Sequence, residues 1–278
     1  MQKNLHCGKY KLDLEKPIVM GILNVTPDSF SDGGRYDHIE NALKHAIQLQ
    51  EEGADIIDVG GESTRPGAKP VNGQEELDRV IPVIEKITSQ IDLPVSIDTS
   101  KALVMTEAVS SGAVMVNDVM ALQQPGTTEA VAMMDDSIAV CLMHMQGQPR
   151  TMQENPVYDD VVEDVFGFLQ SRVIECEQAG IDRNRIVIDP GFGFGKTLEH
   201  NIALLKHLSE FKKSGLPVLA GISRKSMLGK LLGDVPPDQR IDASVAAAVL
   251  AYERGANILR VHDVKQTVDA LKIAQAIL

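Results

Sequence analysis

The stretch RIVIDPGFGFGK, residues 185–196, decides the fold. It begins with the apolar run Ile186-Val187-Ile188, continues into the carboxylate of Asp189, and then breaks into alternating Gly and Phe. A short, continuous apolar run of this kind indicates a strand that is buried on both faces, as in a parallel sheet. In α/β enzymes, a charged residue at the carboxyl end of such a strand is typical of a group displayed for chemistry.

The end of this stretch resembles a phosphate-binding loop, but the spacing excludes that motif. The motif requires a Gly five residues before Gly195, and Pro190 occupies that position. The informative feature is therefore the order of apolar strand, polar residue, loop and helix, which the chain repeats.

This order occurs eight times along the chain. The predicted strands are residues 18–25, 54–60, 94–97, 113–116, 138–145, 186–188, 217–222 and 258–261, with helical segments between them and a final amphipathic helix over 264–278. Strands that alternate with helices imply right-handed βαβ units and a parallel sheet. Eight such units predict a closed (β/α)8 TIM barrel, and an open doubly wound sheet is the weaker alternative.

The chain is predicted to form a single domain. Its 278 residues suit one α/β barrel, and no Ser/Gly-rich, Pro-rich or charged tract interrupts it as a linker. Residues 18–278 are assigned to the barrel. Residues 1–17 are a short lead-in, with a possible hairpin that closes the bottom of the barrel.

Composition limits the partners and the compartment. The 27 Lys and Arg against 39 Asp and Glu give a formal charge of −12, which disfavours nucleic acid and anionic membranes as partners. An anionic substrate would need a local cluster of cations. The three scattered cysteines form no C-x-x-C pair, and no apolar run is long enough for a signal peptide or a membrane span. The sequence predicts a soluble, cytoplasmic protein.

In a barrel, the groups that perform chemistry gather where the strands end. The polar residues at the predicted strand ends are Asn24, Thr64, Arg65, Asp98, Asn117, His144, Asp189, Lys225, Ser226, Arg260 and His262. We expect these side chains to converge on one mouth.

Seven segments of the chain resemble bacterial dihydropteroate synthases. They are GILNVTPDSFSDGG, DVGGESTRPGA, SIDTSK, LMHMQG, DPGFGFGK, GISRKSMLG and RVHDV, in the order of that family, within a resemblance that spans about residues 18 to 278. The resemblance implies that 6-hydroxymethyl-7,8-dihydropterin pyrophosphate and para-aminobenzoate condense to 7,8-dihydropteroate and pyrophosphate in folate biosynthesis. It also implies a requirement for Mg²⁺, a homodimer, and inhibition by sulfonamides.

The residue types suit a pterin, which carries N–H donors beside a carbonyl along one edge. Asp98 and Asp189 can accept from such an edge, Asn117 can donate and accept, and Lys225 can donate to the ring carbonyl and a ring nitrogen. For a single Asp, capping of the next helix would be an equally good interpretation. The catalytic residues predicted from the resemblance are Asp98, Asp189, Lys225, Arg260 and His262.

At the pyrophosphate end, the resemblance assigns Asn24, Arg260 and His262, together with Thr64. The oxygen of Asn24 is a plausible Mg²⁺ ligand beside phosphate oxygens, since Mg²⁺ prefers oxygen ligands and retains waters. Loss of pyrophosphate would leave a cation delocalised into the pterin ring. This predicts a dissociative, SN1-like step before the amine attacks.

The para-aminobenzoate site is predicted from both the resemblance and the residue types. The set comprises Phe30, Asp32, Thr64, Arg65, Pro66, Phe194 and Ser226. Residues 26–34 and 62–73 are interpreted as lids over the substrates, or else as ordinary surface loops. His144 is expected either to line the cavity or to pack at a strand end.

Two other functions stay open at this point. Barrels that transfer the methyl group of methyltetrahydrofolate to a corrinoid share the pterin-binding logic, but should lack the segments 63–66 and 223–226. A non-catalytic pterin-binding paralogue should have lost Lys225, Arg260 or His262, and this chain has all three.

Overall fold

The computed structural model describes residues 2–26, 35–63, 70–148 and 151–278. Eight parallel strands form one sheet, namely β3 (Ile18–Asn24), β4 (Ile56–Gly60), β5 (Val95–Asp98), β6 (Met115–Asp118), β7 (Ala139–Met143), β8 (Ile186–Asp189), β9 (Leu219–Ala220) and β10 (Ile258–Val261). Their order in the sheet is β8-β7-β6-β5-β4-β3-β10-β9. A parallel bridge between Ile188 and Val218 joins the two ends of that order, so the sheet closes into a barrel. The predicted (β/α)8 barrel is confirmed, and the open sheet is excluded.

Helices surround the barrel. Those of the described residues are α1 (Arg35–Glu51), α2 (Gly73–Gln90), α3 (Ala102–Ser110), α4 (Thr127–Ala132), α5 (Val161–Gln178), α6 (Leu198–Lys206), α7 (Ser226–Leu231), α8 (Ile241–Glu253) and α9 (Val264–Ile277), with short 3-10 turns at Arg183–Arg185, Leu208–Ser214 and Pro237–Gln239. Their apolar faces and the outward-facing strand residues form the main core. No helix in these ranges is both long and apolar enough to cross a membrane.

Residues 4–13 form an antiparallel hairpin of β1 (Asn4–Cys7) and β2 (Tyr10–Asp13). Leu5 and Cys7 are fully buried against the inward-facing side chains at the amino ends of the barrel strands. The bottom of the barrel interior is therefore apolar. The interior becomes polar only towards the carboxyl ends, which places the chemistry at that mouth.

The seventh strand is much shorter than the predicted 217–222. Only Leu219 and Ala220 form ladder pairs, and they pair with β10. Pro217 has no N–H to donate, although its carbonyl accepts from the amide of Ile188 at 3.0 Å. The predicted burial of residues 217–222 is confirmed. Between β8 and β9, however, the barrel closes through single contacts and not through a long ladder.

Candidate active site

The carboxyl ends of β5 and β6 bring Asp98 and Asn117 side by side. The two residues are direct partners in the parallel ladder, and the amide of Thr99 donates to the carbonyl of Asn117 at 3.1 Å. Residues opposite each other in a ladder point to the same face, so both side chains enter the barrel mouth. The N-cap of α3 is Lys101, so Asp98 does not cap the following helix.

Asp189 ends β8, which β7 separates from β6. Its Oδ1 accepts from the backbone N–H of Gly191 at 2.7 Å, which holds the turn that follows. The N-cap of α6 is Thr197, which excludes helix capping as the role of Asp189 as well. Burial raises the pKa of Asp189, and the nearby Lys225 ammonium opposes that rise.

Arg260 on β10 crosses the mouth and is held by two carboxylates. Its Nε donates to Asp58 Oδ2 and its Nη2 donates to Asp98 Oδ2, each at 2.6 Å. Burial disfavours the charged guanidinium, but the carboxylates outweigh that effect and raise the pKa of Arg260. Burial also raises the pKa of Asp98, while Arg260 lowers it. Arg260 therefore faces the mouth as a cation. Its Nε and Nη2 groups are already bound to Asp58 and Asp98.

Lys225 reaches the mouth from the N-cap position of α7. Its Nζ donates to the Phe192 carbonyl and lies 4.3 Å from the centre of the Phe194 ring. Burial lowers the pKa of Lys225 to about 8, although Asp189 opposes that shift. Ser226 follows at the first position of α7 and is exposed. The structure thus brings Lys225, Phe194 and Ser226 to one side of the mouth.

The Gly-Phe loop is shaped by three left-handed glycines. Gly191, Gly193 and Gly195 have φ values of 69°, 80° and 62°. A Cβ at Gly191 would lie 1.9 Å from the carbonyl oxygen of His144, and one at Gly195 would lie 2.3 Å from that of Gln146. A side chain does not fit at Gly191 or Gly195, so glycine is a structural requirement at these two positions.

A buried lysine side chain holds this loop together. Burial lowers the pKa of Lys196 well below its usual value, and Asp189 opposes that shift. Lys196 Nζ lies 2.9 Å from His144 Nδ1 and donates to the carbonyls of Gly191 and Phe194, both at 2.9 Å. Burial and the adjacent ammonium lower the pKa of His144 to about 3, so its Nδ1 is free to accept. His144 also packs edge-on against Phe168 at 4.9 Å. Of its two predicted roles, the geometry favours packing and support of the loop.

His262 lies at the end of β10 beside Ser223. The Ser223 hydroxyl is 3.1 Å from His262 Nδ1 and accepts from the His262 backbone N–H at 3.2 Å. The adjacent Arg224 has a φ of 58° and forms an ion pair with Asp263. These contacts connect the segments 221–229 and 260–264, two of the seven segments that carry the family resemblance.

Asn24 ends β3, which is separated from β9 and the following Lys225 by β10 alone. A Cβ at Gly60 would lie 3.7 Å from Asn24 Oδ1 and 3.8 Å from Asp98 Oδ2, so the absence of a side chain at Gly60 keeps this corner open. In the part of the chain that the structure describes, no cluster of three or more His, Cys, Asp or Glu residues could hold a metal.

Five predicted site residues, namely Phe30, Asp32, Thr64, Arg65 and Pro66, lie outside the described residues. Glu62 lies just before residues 64–69, which the structure does not describe, and it forms an ion pair with Lys101. Lys101 also pairs with the fully buried Glu76 on α2. Sequence reasoning did not single out Lys101 or Glu76. The signal was present, since Lys101 belongs to the quoted segment SIDTSK.

A cavity of about 140 Å³ adjoins the mouth between α6, α7 and residues 153–156. Its lining includes Gln153, Thr197, Asn201, Ser226 and Lys230. Of the predicted site residues, only Ser226 lines this cavity. The cavity therefore lies beside the mouth and is not the predicted pterin pocket.

The fold and the site together define a class: a (β/α)8 barrel enzyme whose mouth is built to bind a planar, hydrogen-bonding ligand. Residues 20–262 match the family described as pterin binding enzyme. The dihydropteroate synthase of Haemophilus influenzae is 53% identical over 272 residues, which cover 98% of each chain. The chain belongs to this pterin-binding family, among the dihydropteroate synthases.

Solved structures agree with that assignment. The Yersinia pestis dihydropteroate synthase, in complex with a sulfonamide drug, superposes with a TM-score of 0.93 at 54% identity over 99% of this chain and 98% of that one. The Xanthomonas albilineans dihydropteroate synthase with 4-aminobenzoic acid gives a TM-score of 0.93 at 54% identity, with coverage of 100% and 98%. These relatives favour the synthase over the corrinoid methyltransferase and the non-catalytic paralogue.

Proposed function

We propose that this enzyme is a transferase that condenses 6-hydroxymethyl-7,8-dihydropterin pyrophosphate with para-aminobenzoate, giving 7,8-dihydropteroate and pyrophosphate for folate synthesis. One observation carries the proposal. The acceptors Asp98, Asn117 and Asp189 and the donor Lys225 meet at one mouth, in a chain 53% identical to a dihydropteroate synthase.

The pterin edge would bind among these four residues. Its amino and ring N–H groups donate to Asp98 and Asp189, and its carbonyl accepts from Lys225. Such a site discriminates strongly, because a ligand with the wrong pattern leaves a buried polar group unpaired. Asp189 and Lys225 already stabilise each other's charged forms without a ligand.

The pyrophosphate group would lie beyond the pterin, towards Asn24, Arg260 and His262, with Thr64 completing this end. Mg²⁺ fits this corner, because Asn24 offers a hard oxygen and the open space at Gly60 leaves room for phosphate oxygens and waters. When bound, the ion would neutralise part of the charge on the departing pyrophosphate. Arg260 can contribute Nη1, which has no hydrogen-bond partner within residues 2–26, 35–63, 70–148 and 151–278.

The chemical step we propose is dissociative. The bond from the exocyclic CH₂ carbon to the pyrophosphate oxygen breaks first, and its electron pair leaves with pyrophosphate. The resulting cation is delocalised into the dihydropterin ring until the amine lone pair forms the new C–N bond and the amine loses a proton. The carboxylates of Asp98 and Asp189 stabilise the cationic ring electrostatically.

The aminobenzoate would bind on the Lys225 side of the mouth. The Phe194 ring and the Lys225 stem form an apolar wall there, since the ammonium lies 4.3 Å from the ring centre. Ser226 is exposed beside them and offers its hydroxyl to the substrate carboxylate. Phe30, Asp32, Thr64, Arg65 and Pro66 are proposed to complete this site, and sulfonamides to occupy it as competitors.

The deciding experiment measures pyrophosphate release from the pterin pyrophosphate, with and without para-aminobenzoate and Mg²⁺. We expect Mg²⁺-dependent release, with dihydropteroate formed only when the amine is present, and competition by a sulfonamide. Slow release without the amine would support the dissociative step. Tight pterin binding without release under any condition would refute the synthase activity.

We also propose that the enzyme acts as a cytoplasmic homodimer. The last three helices expose several large apolar side chains, including Leu231, Leu250, Ile273 and Ile277, and such a surface favours self-association. The free, buried thiols of Cys7, Cys141 and Cys176 suit a reducing compartment. Sedimentation analysis should give twice the chain mass of 30.2 kDa, and a monomer at micromolar concentration would contradict the dimer. Cell fractionation tests the location.

A further inference from the structure

Asp58 is a fully buried carboxylate in the middle of the apolar strand β4. It lies one layer below the mouth, opposite Ile22 on β3 and Ser96 on β5. Burying a carboxylate costs several kcal/mol, on the order of the stability of many domains, unless its partners offset that cost. A carboxylate retained in this position therefore calls for a functional explanation.

One oxygen of Asp58 takes both of its hydrogen bonds. Asp58 Oδ2 accepts from Arg260 Nε at 2.6 Å and from Asn117 Nδ2 at 3.2 Å. Its other oxygen, Oδ1, and the hydroxyl of Ser96 have no hydrogen-bond partner among the described residues. Asp58 thus connects two residues of the pterin site that do not bond each other.

This contact fixes the direction of the Asn117 amide. An ionised carboxylate can only accept hydrogen bonds, so the NH₂ group of Asn117 must face Asp58. The carbonyl oxygen Oδ1 of Asn117 is then the atom left for a ligand. An isolated Asn117 side chain could donate to a ligand or accept from it. Because its NH₂ group donates to Asp58, it can offer the ligand its carbonyl oxygen as an acceptor.

The same carboxylate fixes the plane of Arg260. With Nε bound to Asp58 and Nη2 bound to Asp98, two separate anchors hold the edge of the guanidinium. A planar cation held at two points presents a defined flat face, which suits a stacked heterocycle. If Asp58 were lost, Arg260 would keep Asp98 alone and could rotate about that single contact.

We propose that Asp58 is a positioning residue that makes the site selective for a heterocycle offering a hydrogen-bond donor to Asn117, and that holds Arg260 flat against that ring. The proposal rests on the pterin-binding function proposed above and deepens it. Asp58 does not touch the substrate; it acts through Asn117 and Arg260.

The test is a set of isosteric variants: D58N, N117D and the exchanged pair D58N/N117D. We expect D58N to weaken dihydropterin binding by about tenfold or more, because Asn117 loses its fixed direction and Arg260 a charged partner. N117D should bind worse still, because two carboxylates then face each other. D58N/N117D removes one of the two facing carboxylates and should recover at least about tenfold over N117D, although an amide at position 58 cannot both accept from Arg260 and donate to position 117 through the one atom that serves both in wild type.

D55N is the matched control. Asp55 is a half-buried carboxylate at the other end of β4, where it accepts from the Val19 amide at 2.8 Å. It should leave pterin affinity unchanged. Thermal melting of each variant separates weakened binding from weakened folding.

A second readout needs no ligand. The Arg260 Nε proton should exchange slowly with solvent in wild type and at least about tenfold faster in D58N, as followed by ¹⁵N NMR. Unchanged exchange, or an exchanged pair that binds no better than N117D, would overturn the positioning role. A failure of the positioning role can be distinguished from a failure of the proposed function, because turnover of the wild-type enzyme tests the proposed function without any variant.

Discussion

Burial, a nearby carboxylate and an aromatic ring all act on the side chain of Lys225. Its ammonium is desolvated, faces Asp189, and lies over the Phe194 ring. We expect Lys225→Met to lower kcat/KM for the pterin pyrophosphate by about 10- to 100-fold, the usual range for a lost charged hydrogen bond. Lys230→Met, which removes an exposed lysine of the same helix, should stay within about twofold of wild type. Steady-state kinetics of both variants checks this, and equal losses would contradict the role of Lys225.

The same lysine predicts a pH dependence. Because burial lowers the pKa of Lys225 to about 8, the free enzyme loses this charge as the pH rises through that value. The kcat/KM profile, which reports the free enzyme, should therefore fall above about pH 8. Lys225→Arg keeps its charge at any working pH and should remove this alkaline limb, although its absolute activity is lower. An unchanged limb in the arginine variant would assign it to another group.

At the scale of the element, the Gly-Phe loop is where backbone geometry dictates sequence. Gly191 combines a left-handed φ of 69° with a backbone oxygen 1.9 Å from where a Cβ would lie. Gly191→Ala should lower the free energy of unfolding by about 3 kcal/mol or more, because the turn at the end of β8 must open. Urea denaturation measures this change.

Gly215 supplies the matched control for that substitution. Its φ is 75°, but no atom lies within 4 Å of an added Cβ among the described residues. Gly215→Ala should cost only the left-handed backbone strain, about 1 kcal/mol. Equal losses for the two variants would mean that backbone strain alone, and not the close approach to His144, explains the need for Gly191.

The strand pattern determines part of the fold and of the site. The order of eight strands and the strand-end residues Asp98, Asn117 and Asp189 could be predicted, because apolar runs and the parallel topology determine them. The role of Asp58 could not be predicted, since in the apolar run of residues 56–60 it is only one polar residue within a buried strand. Its partner Arg260 is 202 positions away, and no local pattern reveals such a distant pairing.

Elements that close the barrel were harder to predict than those that form it. The prediction extended β9 to six residues, whereas its ladder holds only Leu219 and Ala220. Apolarity reports burial, and burial continues on both sides of this short strand. Hydrogen-bond pairing depends instead on the neighbours β8 and β10, which a local sequence window does not contain.

At the scale of the whole molecule, the enzyme buries charges of both signs near its mouth, and each changes how stability depends on pH. Burial raises the pKa of Asp98, and it raises that of Asp118 to about 6, so these carboxylates stabilise the fold as the pH falls. His144 acts in the opposite direction. It stays neutral in the fold while an unfolded histidine takes up a proton near its ordinary pKa of 6.5.

His144→Gln isolates the histidine contribution. Its folded pKa of about 3 lies below the unfolded 6.5, so the stabilisation is complete above pH 6.5 and is lost as the pH falls. The loss is about 1.4 kcal/mol per pH unit, so the difference in unfolding free energy between wild type and His144→Gln should shrink by about 2 kcal/mol from about pH 7.5 to pH 5. Gln can still accept from Lys196 but does not titrate, and the carboxylates are common to both proteins and cancel. Urea denaturation across this range gives the difference directly. If the difference does not change with pH, His144 takes up its proton as readily in the folded protein as in the unfolded chain, and its Nδ1 cannot be the acceptor that holds Lys196 under the Gly-Phe loop.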